Sequence, residues 1–138
     1  MVRLLLCIVV GAILLCPQAR AERMKLVVAK TWKGSVDDEK LMKGAPEYFV
    51  SADELNKVWK AWKIEGDAPK IDFSKNLVIA VYSRGSRLNL AGASLDEKGN
   101  LQVLGFGTRD LRPGFRYVFG LVPRKGVVSV NGKKVPTE

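Results

Sequence analysis

The residues best suited to chemistry lie between positions 109 and 117. There Arg109-Asp110-Leu111-Arg112-Pro113-Gly114-Phe115-Arg116-Tyr117 sets three guanidinium groups and two aromatic rings around a Pro-Gly turn. Arginine presents a planar fork of N–H donors that fits a carboxylate or phosphate two bonds at a time. Aromatic side chains interleaved with arginine are the composition of many binding patches. Arg109, Arg112, Arg116, Phe115 and Tyr117 are therefore the candidate contacts for an anionic partner. Strand alternation gives a competing arrangement, with Phe115 and Tyr117 turned into a core and Arg116 turned out.

Other pairs carry less. Ser74-Lys75 has the residue types of a Ser–Lys hydrolase, but neighbouring residues on a strand point to opposite faces and cannot share a proton. Asp72 and Ser74 precede an apolar run, where short polar side chains bond nearby backbone groups and fix a turn. Asp37-Asp38-Glu39 is the one acidic cluster, and it lacks the alternating spacing of a calcium loop. It reads as a solvated turn.

The leader narrows the chemistry further. Arg3, the twelve residues Leu4 to Leu15 without a polar side chain, Pro17 and Ala19-Arg20-Ala21 form the n-region, h-region and small-x-small site of a secretory signal. Twelve residues rise only about 18 Å as a helix, short of a hydrocarbon core of about 30 Å. Cleavage after Ala21 divides the chain into a signal peptide, residues 1–21, and one domain, residues 22–138. Cys7 and Cys16 leave with the signal, and Ile13-Leu14-Leu15 lacks the small residues of a lipoprotein motif before Cys16.

The remaining chain has neither cysteine nor histidine. A Ser-His-Asp triad, a thiolate nucleophile, a His/Cys zinc site and a disulfide are all excluded from it. An enzyme built here would need paired carboxylates, as in glycan hydrolysis. No motif calls for a cofactor.

Charge is unevenly spread. Residues 22–83 hold 11 basic and 10 acidic side chains, whereas residues 84–138 hold 10 basic and 4 acidic. All mature arginines except Arg23 fall in that second part: Arg84, Arg87, Arg109, Arg112, Arg116 and Arg124. An anionic partner outside the cytoplasm fits this distribution, as does the ordinary surface charge of a basic secreted protein. Nucleic acid does not fit an exported chain.

The elements that must position these residues follow from pattern. Residues 25–32 are β-rich, residues 34–44 are polar and loop-like, and Tyr48-Phe49-Val50 is a short strand or apolar plug. Residues 51–63 form the one helix. Ser51 and Glu54 make a capping box, and Leu55, Val58, Trp59 and Trp62 share one face. That stripe belongs on a sheet, with the tryptophans in a core.

Leu77 to Tyr82 is an unbroken apolar run, expected to be buried on both faces in mid-sheet beneath the helix. Residues 87–95, 101–106 and 115–122 read as a meander, with residues 96–100 as a hairpin loop. Asn131-Gly132 marks a type I′ turn between residues 127–130 and 133–135. The fold class is α+β: six or seven mostly antiparallel strands, one packing helix and a C-terminal hairpin.

Phe49, Ser51-Ala52-Asp53-Glu54-Leu55, Trp59, Pro69 and Ile71-Asp72-Phe73-Ser74-Lys75-Asn76-Leu77-Val78-Ile79-Ala80-Val81 resemble a bacterial exported family. It is the C-terminal domain of the protease-complex subunit PrcB and its relatives, and the likeness spans residues 49–81. After it, Gly85 to Gly92 keeps only part of the family's glycine-rich segment. The resemblance implies an α+β domain that supports or binds an exported partner, with no catalytic residues to carry over. Together these readings give a small periplasmic or secreted accessory domain. Its basic C-terminal half would engage an exported protein or an anionic envelope component. A carboxylate-based hydrolase of envelope glycans and a purely structural envelope protein are the alternatives.

Overall fold

The computed structural model describes residues 23–136. The expected signal peptide lies outside these residues. None of the described helices is long and apolar enough to cross a membrane.

The chain folds as α+β in three layers: one helix, a four-stranded sheet and a five-stranded sheet. Strands β1 (Met24–Leu26), β5 (Leu88–Leu95), β6 (Asn100–Gly107), β8 (Ser129–Val130) and β9 (Lys133–Lys134) form one sheet in that order. Strands β2 (Lys30–Val36), β7 (Phe115–Pro123), β4 (Asn76–Ser83) and β3 (Tyr48–Phe49) form the other. All neighbours are antiparallel except β6 and β8.

Helix α1 (Ala52–Ala61) starts where expected. The Ser51 hydroxyl accepts from the Glu54 amide at 3.3 Å, and the Glu54 carboxylate accepts from the Val50 amide at 3.4 Å. It ends two residues before Lys63. Trp62 caps it, Lys63 takes a left-handed φ of 53°, and the Ile64 amide reaches back to the Trp59 carbonyl at 3.1 Å. This is a Schellman end with lysine where glycine is usual.

Strand β4 shows why its run is unbroken. Val78 and Ala80 enter the core under the helix with Phe49, Leu55, Trp59, Trp62, Phe115, Tyr117 and Phe119. Leu77 and Ile79 enter a second core between the sheets with Ala93, Leu95, Leu101, Val122 and Val130. Gly120 and Gly105 let the sheets close: a Cβ on Gly120 would lie 2.6 Å from a Leu90 methyl, and one on Gly105 3.0 Å from Val81.

Three expectations are corrected. Among the described residues there are nine strands rather than six or seven, in two sheets, and the first β-rich stretch is two of them. β1 pairs with β5, and the chain then crosses at residues 27–29 so that β2 pairs with β7. Residues 34–36, loop-like in their polarity, extend β2, because Gly34 and Val36 lie opposite Tyr117 and Phe115. The meander stops after β6. β7 leaves that sheet and sits between β2 and β4, where its aromatic face meets the helix. The terminal hairpin forms as expected, with Asn131 and Gly132 at φ of 48° and 82°.

Candidate functional site

Strand alternation along β7 divides the predicted binding residues between two faces. Phe115 is fully buried and Tyr117 nearly so, both on the helix side. Their rings lie 5.1 and 5.7 Å from Trp62. They hold β7 against the helix, and Tyr117 also borders the cleft described below. Arg116 points from the opposite face, toward the second sheet. Arg109 is exposed on the loop before β7, and Arg112 is held by Asp110 at 3.4 Å. The five residues do not converge on one patch.

The arginines separate into fixed and available groups. Arg84 pairs with Glu39 at 2.7 Å. Arg124 donates to the Phe73 carbonyl at 2.8 Å and the Pro136 carbonyl at 3.2 Å, tying the start of β4 to the C-terminal segment. Among the described residues, Arg87, Arg109 and Arg116 have no carboxylate within ion-pair distance.

Two of those three line a cleft of about 470 Å³ where β2 and β5 diverge. Lys33 and Ser35 come from β2, Arg116 from β7, Asn89 from β5, and Ser86 and Arg87 from the segment just before β5. The register explains the grouping. Ser35 lies directly opposite Arg116, and Lys33 is two residues along the same face of β2. No lining residue is acidic, and Arg116 Nη1 is buried without a hydrogen-bond partner. A buried unsatisfied donor costs about 1–3 kcal/mol, more when charged, and an entering oxyanion would relieve that cost.

The wall carrying Ser86 and Arg87 is fixed in place. Asp110 accepts from the Ser86 amide at 3.1 Å, the Thr108 hydroxyl accepts from the Arg87 amide at 3.1 Å, and the Thr108 amide donates to the Arg87 carbonyl at 3.0 Å. Hydrogen bonds from the Thr108 and Ser86 hydroxyls, then from the Ser86 amide, hold the Asp110 carboxyl well below the usual range. Gly85 is needed here, since a Cβ would fall 2.1 Å from the Thr108 carbonyl oxygen.

The remaining sequence candidates are structural in their contacts. Asp72 accepts from the Ser74 amide at 3.1 Å and from its hydroxyl, so Ser74 faces Asp72 rather than Lys75. Asp38 caps a short 3-10 turn by accepting from the Lys40 amide at 3.0 Å. A second groove, of about 520 Å³ between the helix and the terminal hairpin, has two carboxylates in its lining. Glu54 is engaged in the capping box, and Glu47 lies 3.5 Å from Lys133.

Nothing local in the sequence singles out Lys33, Ser35, Ser86 and Asn89. The β2–β7 register could have found Lys33 and Ser35, given that residues 33–36 are strand; Ser86 and Asn89 join them only through the packing of the two sheets. No protein-family model, curated protein or solved structure matches the chain.

Proposed function

We propose that this chain is a small exported accessory domain without catalytic machinery. It engages an anionic partner, a protein or an envelope component, through the basic cleft around Arg116. The observation that carries the reading is the cleft itself. Lys33, Arg87 and Arg116 converge without a carboxylate among the lining residues, beside a guanidinium nitrogen that lacks an acceptor. The resemblance of residues 49–81 to the PrcB C-terminal domain agrees with an accessory role. The basic C-terminal half supplies two of the three cations, and β2 contributes the third.

The test is co-sedimentation with anionic envelope material, with soluble inorganic polyphosphate as a defined competitor, across a salt series. Wild type should be retained at low salt and released as salt rises, because about 0.15 M salt screens exposed charges beyond about 8 Å. The K33Q/R87Q/R116Q protein should lose retention, while R109Q/R112Q should keep most of it. Equal retention of all three proteins would overturn the proposal, as would a loss confined to R109Q/R112Q.

A further inference from the structure

The cleft is bounded by two strand edges, and neither edge is paired along it. β2 is the end strand of its sheet, bonded on one side only, to β7. On the facing wall, β1 pairs with β5 only at Ala93, Ser94 and Leu95. The chain then leaves β5 for the other sheet, so Leu88 to Leu90 pair with β6 alone. Among the described residues, no further backbone hydrogen bond involves Lys30–Val36 or Leu88–Leu90. The gap between them is where Lys33, Arg87 and Arg116 project.

An unpaired edge is a template for another strand, and recognition by strand addition uses main-chain bonds for affinity and alternate side chains for specificity. We propose that the cleft takes an extended acidic peptide segment as an added strand on the free edge of β2, with alternate carboxylates facing Lys33 and Arg116. This inference rests on the anion-binding reading of the same cleft and adds the partner's class and its manner of docking.

The geometry sets the spacing. Lys33 and Ser35 are two residues apart on one face of β2, about 6.8 Å at strand rise. Residues i and i+2 of an added strand fall beside them. A carboxylate at i meets the Lys33 ammonium. One at i+2 comes beside Ser35 and, one strand further in, the guanidinium of Arg116 that lies opposite Ser35. Arg87 closes the site from the β5 wall. Lysine on a free edge also discourages pairing with a second copy of the same edge, since like charges would be brought together. The edge therefore selects an acidic strand and rejects its own kind.

The probe is a blocked seven-residue peptide of alternating Thr and Glu, matched to the length of β2, titrated calorimetrically into the domain. Two derivatives carry the same charge but are N-methylated, one on every Thr and the other on every Glu. In an added strand only one parity of amides faces β2. One derivative should then bind at least about 10-fold more weakly, through loss of several backbone bonds, and the other within about 3-fold of the parent. The K33Q/R116Q protein should bind the parent at least about 10-fold more weakly.

If both derivatives match the parent, binding is by charge alone. Strand addition is then overturned while the anion-binding reading stands. The same holds if polyphosphate binds in a manner that requires Arg116 and the peptide does not bind. If neither probe binds, both proposals are overturned.

Discussion

Replacing Trp62 with alanine tests the packing that carries β7, and with it the position of Arg116. Trp62 is only 7% exposed, and its ring centroid lies 5.1 Å from Phe115, 5.7 Å from Tyr82 and Tyr117, and 5.9 Å from Phe119. Because Trp62 caps the helix rather than lying inside it, the substitution barely touches helix propensity. The loss is therefore packing. A buried tryptophan removes about 200 Å² from water, worth about 5 kcal/mol at 25 cal/mol per Å². Trp→Ala substitutions in cores cost about 3–5 kcal/mol. Four rigid rings around the vacated space cannot all collapse into it, which puts this site at about 4–5 kcal/mol. Urea unfolding followed by far-UV circular dichroism reads the change without relying on the fluorophore removed. Trp62→Phe should cost about 1–2 kcal/mol, since it keeps a ring in the cluster. A loss below about 1.5 kcal/mol for the alanine variant would show that the cluster does not depend on this ring.

Three further outcomes are expected. Lys63→Gly should stabilise the fold by about 0.5–1 kcal/mol in the same urea assay, because an exposed lysine at a φ of 53° is replaced by the residue suited to it. Burial, and then the Glu47 carboxylate, push the Tyr82 phenol well above its ordinary value. Its contribution is fully present below about pH 10, the value in the unfolded chain, and is lost as pH rises from there through the folded value. Urea midpoints should therefore fall above pH 10, and Tyr82→Phe should flatten part of that fall. Burial also raises Tyr117, which adds to the fall in the same direction. N-terminal sequencing of native protein should read Glu22 first; a start at Met1 would remove the export half of the proposal, and a lipid on Cys16 would replace the soluble domain with a membrane-anchored one.

Local rules were enough where one element decides its own shape. The Ser51–Glu54 box, the Leu55-Val58-Trp59-Trp62 face, the Asp72–Ser74 turn and the Asn131-Gly132 hairpin each depend on residues within a few positions of one another. The double-sided burial of Leu77 to Ala80 was also legible, because no polar residue interrupts the run, although Val81 and Tyr82 are only half-buried. The partners of each strand were not legible. Residues 34–36 look like loop, and only a distant β7, with Tyr117 lying across Gly34, makes them strand. The candidate site suffered from the same blindness. Proximity in sequence grouped Arg109, Arg112 and Arg116 with Phe115 and Tyr117. Alternation then turned the rings into the core, Asp110 engaged Arg112, and the register brought Lys33 beside Arg116 from 83 positions away.

Anion binding by the cleft requires that the partner's negative charge settle on Arg87 and Arg116 and not on basic residues in general. Arginine Nε–Hε signals, followed by NMR during titration with polyphosphate at low salt, report each guanidinium separately. Arg87 and Arg116 should show saturable shifts, with Arg84 and Arg124 unmoved because Glu39 and backbone carbonyls already hold them. Shifts centred on Arg109 and Arg112, or no saturable movement of Arg116, would contradict the proposed site.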